Sequence, residues 1–186
     1  MNQISRIIYI SRKHSHHSKF SGYDQLLNLS SNINRRIFAS SFNKFPYRLA
    51  KLISNNLGPE LYNSESLRKE LAAFWLFLKR QGNHIHYLYG DRDYSLLGSL
   101  KFKNLSLSAT FHLPPSLIRD RFYGSHSLHK LDLAIAVSRN QISILNDLGI
   151  KHTAFIPHGI DTKFWFPVSP EWNSTKAISV GVHMRD

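Results

Sequence analysis

One stretch of this chain, residues 131–167, restricts the possible folds more than any other. Residues 133–137 form a wholly apolar run, which is typical of a parallel strand covered on both faces. The next apolar residues recur at spacing three and predict a helix that ends at Gly149 and carries on one face Ile142, Leu145 and Leu148. A second short strand is predicted at residues 153–156. Two strands joined by a helix predict a parallel sheet with right-handed connections.

The remaining periodic segments extend this pattern towards the N-terminus. A continuous β-favouring run predicts a strand at residues 6–11, and further strands are predicted at residues 84–89 and 105–111. A long helix is predicted at residues 65–80, with Ser64 as its cap and Gly82 at its end. The second half of this helix is apolar almost all round, so we expect it to be buried against the sheet. Shorter helices are predicted at residues 23–29 and near Ser116.

Polar loops follow the predicted strands, and a parallel topology brings such loops to one edge of the sheet, where ligands bind. The loop segments expected at this edge are residues 14–23, 90–94, 112–116, 138–139 and 158–161. In the first of them, Ser21 or Ser18 can cap the next helix, and Gly22 allows close approach of an anion to the backbone. A solvated polar loop fits the same residues.

Histidines are frequent in these loops. His14, His16 and His17 have no Asp or Glu beside them in their loop, so we predict no metal site there. His112 ends a predicted strand, a position where histidine is most often a structural hydrogen-bonding group. The loop from His158 to Asp161 also has a structural interpretation, because a glycine permits a tight turn and an aspartate can cap it.

The charge of the chain favours anionic partners. Its 24 Lys and Arg outnumber 12 Asp and Glu, which gives a formal net charge of +12. Residues 1–51 hold nine basic side chains and one acidic side chain, Asp24. There is no cysteine, which excludes disulfides and thiolate metal sites. The apolar run near the N-terminus is too short for a signal-peptide core or a membrane span, so we expect a cytoplasmic protein.

Residues 33–57 interleave basic and aromatic side chains. This composition fits an element that contacts an anionic membrane peripherally. It equally fits core aromatic residues with a solvated basic face. Pro46 divides the stretch, which predicts two short helices or a helix and a loop.

Several segments together resemble the glycosyltransferases of the two-Rossmann-domain architecture, GT-B, of the family-4 type. The resemblance rests on a buried strand ending Ala-Val-Ser, a helix, a strand, and then IPHGID followed by Phe164, Phe166 and Pro167. Three further segments agree in the family's order: IIYISRKHSHHSKFSGYDQLL, HYLYGDRDYSLLG and TFHLPPS. The last residues, ISVGVHMRD, are similar to the first strand of the family's C-terminal domain.

The resemblance implies an α/β fold with a Rossmann-like doubly wound parallel sheet, one half of a GT-B enzyme. Residues 1–167 would be the N-terminal, acceptor-side domain. Residues 168–186 would be the linker and the first strand of an absent C-terminal domain that binds the donor. The resemblance covers nearly all of this sequence and about half of such an enzyme, so turnover by this chain alone is not expected.

The resemblance also implies roles for individual residues. His112 lies in the similar TxH motif, whose histidine faces the transferred sugar, and is the candidate catalytic residue. Donor or acceptor binding is implied for Ser21, Gly22, Tyr23, Asp91, Ser138, Arg139, His158, Gly159, Asp161 and Arg185. The co-substrate would be a nucleotide-sugar donor, a UDP- or GDP-sugar, and no metal is expected.

The sequence therefore predicts half of a retaining glycosyltransferase that transfers a hexosyl group to a lipid-linked, polysaccharide or small acceptor. A separate chain that carries the C-terminal half and the inner face of an anionic membrane are the expected partners besides the sugar acceptor. A non-catalytic binding or scaffold domain derived from such an enzyme is the alternative. A nucleic-acid binder would suit the charge, but no nucleic-acid motif supports it, and no specific nucleic acid is expected.

Overall fold

Parallel strands form one continuous sheet in this protein. The structure is a computed structural model and describes residues 7–12, 23, 27, 35–37, 51, 53–54, 61–100, 102–123, 127–159 and 162. Within these residues the sheet has six parallel strands in the order β2-β1-β3-β4-β5-β6. They are β1 Ile7–Ile10, β2 Arg35–Ile37, β3 His84–Tyr87, β4 Ser106–Phe111, β5 Leu133–Ala136 and β6 Thr153–Phe155. The α/β, Rossmann-like parallel sheet predicted from the sequence is confirmed.

Helices connect these strands. They are α1 Ser64–Leu78, α2 Gly90–Asp93, α3 Leu96–Ser99, α4 Pro115–Phe122 and α5 Asn140–Asp147, with a 3-10 turn at Leu128–Lys130. The segments predicted as helices at residues 65–80, near Ser116 and after residue 138 are helical. The segment at residues 90–94, predicted as a loop, contains α2 instead. Of the helix predicted at residues 23–29, only Tyr23 and Leu27 lie within the described residues.

Strand β2 corrects the prediction for residues 33–57, which expected helix or loop. Arg35–Ile37 pairs in parallel with β1, with Arg36 opposite Tyr9. An edge strand needs a hydrogen-bonded neighbour on one side only, so it can form without the apolar run that marks a central strand. Charged residues on such an edge also discourage pairing with other chains. Most of residues 38–57 lie outside the described residues, and so do most of the side chains expected to contact a membrane.

The two faces of the sheet differ in chemistry. One face is apolar and fully buried, with register partners that include Ile8, Ile85 and Leu107. Helices α1, α4 and α5 lie in the connections from β2 to β3, from β4 to β5 and from β5 to β6, which all run in the same direction across the sheet. Right-handed crossovers therefore place these three helices on this face. The other face carries a polar ladder between β3 and β4, with hydrogen bonds among His84, His86, Ser108 and Thr110.

Helix α1 begins and ends differently from the prediction. Its N-cap is Asn63, not Ser64, because the Asn63 Oδ1 accepts from the Glu65 and Ser66 N–H groups at 3.0 and 3.1 Å. Its end is set by Arg80 rather than Gly82. Arg80 adopts a left-handed φ of 54°, and the N–H groups of residues 80 and 81 bond back to the carbonyls of residues 77 and 76. This is the Schellman arrangement with arginine in the position that glycine usually takes.

The second half of α1 is not buried all round. Trp75 is 50% exposed and Leu78 is 55% exposed. The expected burial of this half against the sheet holds for Ala72 and Ala73 but not for Trp75 and Leu78, which lie on another side of the helix. In the part of the chain that the structure describes, no helix is both long and apolar enough to cross a membrane.

A buried carboxylate fixes the segment between α2 and α3. Glu70 on α1 is fully buried and accepts hydrogen bonds from two tyrosine hydroxyls and three backbone N–H groups, those of Tyr62, Tyr87, Ser95, Leu96 and Leu97. Burial raises the pKa of Glu70 to about 7, and the hydrogen bonds oppose that shift. The bonds tie α1 to the segment that follows the carboxyl end of β3.

Candidate functional site

The order of the strands creates a crevice at the carboxyl edge. The chain moves from β1 to β2 in one direction and from β2 to β3 in the other, so β1 and β3 flank a topological switch point. In open parallel sheets, ligands bind outside the carboxyl ends of the strands at such a point. The residues that follow β3 and β4 here include Tyr89, Asp91 and His112.

Four rings gather beside this crevice, and we call them the aromatic cluster: Tyr23, Tyr89, His112 and His158. Tyr23 stacks on His112, with ring centroids 3.7 Å apart and planes 13° from parallel. His158 stacks on Tyr23 at 4.8 Å and lies parallel to His112 at 5.5 Å. Tyr89 is 5.4 Å from both Tyr23 and His112. Three candidates chosen from distant parts of the sequence therefore meet in one place.

The hydrogen bonds of His112 define its protonation. Its Nε2 lies 2.7 Å from the Leu88 carbonyl oxygen, which can only accept, so Nε2 carries the proton and donates it. Burial, with a smaller contribution from His158, lowers the pKa of His112 to about 4, against the opposing effect of the Leu88 carbonyl. The imidazole is therefore neutral near pH 7. Its Nδ1 is buried, has no hydrogen-bond partner among the described residues, and can accept a hydrogen bond.

Asp91 holds the backbone beneath His112. It is 3% exposed, and its Oδ2 accepts from the His112 N–H at 2.6 Å. Burial raises the pKa of Asp91 to about 6, while the N–H groups of His112 and Leu113 and the charge of Arg121 oppose the shift. Its Oδ1 is buried and has no hydrogen-bond partner within the residues that the structure describes. Asp91, predicted to bind donor or acceptor, thus positions the histidine through one oxygen.

The glycine before Asp91 permits this contact. A Cβ added at Gly90 would lie 2.8 Å from the Ala109 Cβ and 3.1 Å from the Thr110 carbonyl oxygen. Real Cβ atoms do not approach that closely, so a larger residue would push α2 away from β4. The close approach brings Asp91 within reach of the backbone at the end of β4.

Gln141 joins the ends of β4 and β5, and the sequence analysis did not single it out. The side chain is 1% exposed, and its Oε1 accepts from the N–H groups of Val137 and Ser138 at 2.8 and 2.9 Å. Its Nε2 donates to the carbonyls of Phe111 and Leu113 at 3.1 and 2.7 Å. His112 lies between those two carbonyls, so Gln141 helps to fix its backbone.

A group of alternating charges, the charged cluster, lies at the switch point: Arg12, Glu65, Lys69 and Asp93. All are buried except Glu65, whose side chain is 40% exposed. Arg12, which follows β1, reaches Asp93 after β3 at 2.7 Å and Glu65 at 2.9 Å. Lys69 reaches the same two carboxylates at 3.3 and 3.0 Å. Two cations thus face two anions. Arg12 is 8% exposed, so this residue does not contribute to the basic surface inferred for residues 1–51.

The other predicted residues are more exposed. The Ser138 N–H donates to Gln141, and α5 begins only at Asn140 with Arg139 at its N-cap position and no side-chain cap. The Ser138 side chain therefore does not cap α5, because Gln141 reaches back to the backbone instead, as in half of a capping box. Arg139 lies over the Phe155 ring at 4.8 Å.

The loop after β6 shows a second correction. Gly159 does not have a positive φ, and an added Cβ would meet none of the described atoms within 4 Å. Nothing in this part of the structure requires a glycine at position 159. Gly149, in contrast, has φ 88° and ends α5 as predicted. Ser21, Gly22, Asp161 and Arg185 lie outside the described residues, as do His14, His16 and His17.

No group of three or more His, Asp or Glu residues that could hold a metal ion occurs within the described ranges. The sequence did not indicate Tyr89, Gln141 and Arg12 as parts of this edge. Asp93 lies in the segment 90–94 that was expected there, but its ion pairs were not predicted. Tyr89 had a usable signal, because it closes the predicted strand at residues 84–89. The partners of Arg12 are 53 and 81 residues away along the chain, and no local pattern indicates such pairs.

The site thus combines a neutral histidine with a free acceptor atom, aromatic rings stacked on it, and two buried hydrogen-bonding groups that fix its backbone. Comparisons of the chain with protein-family models, with curated proteins and with solved structures find no match.

Proposed function

We propose that this domain is the acceptor-side, Rossmann-like half of a GT-B glycosyltransferase of the family-4 type. It would take part in retaining transfer of a hexosyl group from a UDP- or GDP-sugar to a lipid-linked, polysaccharide or small acceptor. The parallel sheet, the switch-point crevice and the aromatic cluster at its rim support this proposal. Nucleotide recognition belongs to the other domain of that architecture, so we place it outside residues 1–167.

The observation that carries the proposal is the state of His112. Its Nε2 donates its proton to the Leu88 carbonyl, and in the described part of the chain its Nδ1 lone pair has no partner. A buried acceptor without a partner costs free energy, and a ligand hydroxyl that donates to it would remove the cost. Because sugars carry many hydroxyl groups beside apolar C–H faces, a neutral acceptor among aromatic rings suits them.

The same geometry limits what His112 can do in the reaction. A histidine with a pKa of about 4 is not protonated near neutral pH, so it is not a general acid there. Its role is to orient a sugar hydroxyl through Nδ1, while Asp91 and Gln141 hold the backbone on either side. Chemistry at the anomeric carbon would then depend on the departing phosphate of the donor.

Saturation-transfer NMR with a panel of hexosides, UDP-hexoses and GDP-hexoses tests the proposal on the purified chain. We expect hexosides to bind and free UDP and GDP not to. The variant His112→Phe keeps a ring against Tyr23 but removes the acceptor, and should weaken hexoside binding about threefold to tenfold, the value of one hydrogen bond. His152→Ala removes an exposed histidine at the opposite edge and should leave binding unchanged.

Two results would contradict the proposal. Binding of UDP or GDP in the absence of hexoside binding would place a nucleotide site on this domain. Hexoside binding that is equal in His112→Phe and in the parent chain would show that the histidine acceptor does not contact the sugar.

A further inference from the structure

The amino edge of the sheet, opposite the aromatic cluster, carries an exposed apolar surface. Trp75 and Leu78 lie on the outer side of α1 near its end, and Leu100 lies in the loop before β4 with 43% of its surface exposed. Phe102 connects the two segments, since its ring is 4.7 Å from Phe74 and 6.1 Å from Phe77. The end of α1 and the loop before β4 therefore form one surface.

Basic side chains surround these apolar residues. Lys79, Arg80 and Lys103 are exposed, and the Lys79 ammonium lies over the Trp75 ring at 5.0 Å. Together with Trp75, Leu78 and Leu100 they form what we call the basic-aromatic patch. Within the described residues, none of the three cations has an ion pair with a carboxylate. Lys79 instead makes a cation–π contact with the Trp75 ring.

Acidic side chains are absent from the sequence around this patch. Between Glu70 and Asp120 the only acidic residues are Asp91 and Asp93. These two carboxylates are 3% and 0% exposed and take part in the contacts at the carboxyl edge described above. The exposed carboxylate described at this edge is that of Asp132, which accepts hydrogen bonds from the Ser106 hydroxyl and the Leu107 N–H. The three cations of the patch thus outnumber it.

We propose that the basic-aromatic patch docks this domain on an anionic lipid surface. Tryptophan prefers the interface between water and hydrocarbon, and lysine and arginine near it are attracted to anionic headgroups. Leu78 and Leu100 would enter the acyl boundary beside the Trp75 ring, while the three cations contact headgroups. The proposal does not depend on the glycosyltransferase assignment, because it concerns the opposite edge of the sheet.

The aliphatic side chains distinguish a lipid surface from a nucleic acid. A tryptophan between lysines could stack on a base, but exposed leucines gain nothing from phosphate contacts or base edges. A half-exposed tryptophan flanked by two half-exposed leucines and three cations matches a bilayer interface in both its apolar and its charged parts.

Sedimentation with vesicles tests the docking surface on the full chain. We expect binding to vesicles of phosphatidylcholine with phosphatidylglycerol and not to vesicles of phosphatidylcholine alone. The pair Lys79→Glu with Lys103→Glu should weaken binding at least about tenfold, because each cation near the membrane contributes appreciably. The pair Arg119→Glu with Lys151→Glu makes the same change in net charge at exposed positions elsewhere and should bind nearly as the parent does.

A second variant and a fluorescence measurement test the contribution of the apolar side chains to vesicle binding. Trp75→Ser with Leu78→Ser should also weaken vesicle binding at least about tenfold. Its urea midpoint should fall, because about half of each side chain is buried, and the urea curve also checks that the variant is folded when vesicles are added. In a chain with Trp165→Phe and Trp172→Phe, the Trp75 emission should shift to shorter wavelength on adding anionic vesicles.

Three outcomes would overturn the proposal. The first is equal vesicle binding by the patch variants and the charge-matched control, which would show that binding depends on net charge alone. The second is absence of binding to anionic vesicles. The third is patch-dependent binding of single-stranded RNA without vesicle binding, which would make the surface a nucleic-acid site.

Discussion

Two groups of side chains, which we call joints, link strands at the carboxyl edge of this sheet. One joint is made of charged side chains and the other of a neutral amide. Between β1 and β3 the joint is the charged cluster, in which Arg12 and Lys69 face Asp93 and Glu65. Between β4 and β5 the joint is one neutral amide, Gln141, with four hydrogen bonds. Each charge that is removed from the first joint leaves its partners buried and unbalanced. The amide joint has no such coupling, so its loss exposes only unsatisfied dipoles.

The comparison predicts the largest loss of stability at Asp93. Asp93→Asn keeps the shape of the side chain but leaves Arg12 and Lys69 with one carboxylate, Glu65, between them. We expect the free energy of unfolding in urea to fall by about 3–5 kcal/mol, the usual cost of breaking a buried ion pair. Asp147→Asn is the matched control, because its ion pair with Arg119 is exposed and 4.0 Å long, and should cost less than about 1 kcal/mol.

A double-variant cycle sharpens this result. Adding Arg12→Met to Asp93→Asn removes one of the two unbalanced cations, so the pair of changes should cost less than the sum of the single changes. Simple additivity of the two costs would show that the charges are not coupled and that the cluster is not a joint.

The amide joint predicts a smaller loss. Gln141→Leu leaves two N–H groups and two carbonyls at the ends of β4 and β5 without their partner. Some of these groups can recruit water, so we expect a loss of about 2–3 kcal/mol in the same urea experiment. Asn140→Leu, an exposed neighbour, is the control. A loss for Gln141→Leu below that of the control would show that the ends of the strands are held elsewhere.

The polar ladder between β3 and β4 predicts an effect of pH on stability. His86 is 8% exposed, and burial lowers its pKa from 6.5 to about 3. Below pH 6.5 the unfolded chain binds a proton at His86 that the folded chain does not, so stability falls as the pH falls. At pH 5 the loss from this residue is about 2 kcal/mol, since one pKa unit is worth about 1.4 kcal/mol.

The measurement is the difference between the parent chain and His86→Asn in unfolding free energy at pH 7 and at pH 5. The difference should shrink by about 2 kcal/mol at the lower pH, because asparagine does not titrate. Glu70 and Asp91, whose pKa values are raised, change stability in the opposite direction in both chains, so their effect cancels. A difference that stays constant with pH would mean that His86 takes up its proton in the folded state.

The strands and their common edge could be predicted because they depend on local patterns. Apolar and β-branched runs mark β1, β5 and β6, whereas in β3 and β4 such residues alternate with histidine or serine. Parallel pairing then brings Asp91, His112 and His158 to one edge. Strand β2 has no such run, since it needs a partner on one side only and contains two arginines. The caps of α1 were predicted at the wrong residues. Ser64 could cap the helix start as well as Asn63 does, and Gly82 is a more usual residue than Arg80 for the left-handed conformation at a helix end.

The joints themselves could not be read from the sequence. Arg12 appears there as one more basic residue in a basic segment, and Lys69 as part of a surface-like Glu and Lys pair on a helix. Their burial follows from which side of α1 meets β1 after the sheet has formed. Gln141 likewise resembles an ordinary residue of a polar helix start until the ends of β4 and β5 surround it.

The charged cluster also has a consequence for the variation of related sequences. A substitution that neutralises position 93 is tolerated only where position 12 or 69 has lost its charge as well. Positions 12, 65, 69 and 93, which lie on three separate segments, should therefore change together, whereas position 141 should vary independently of them. Covariation of these four positions would mark a chain as having the same switch point even where its other residues have diverged.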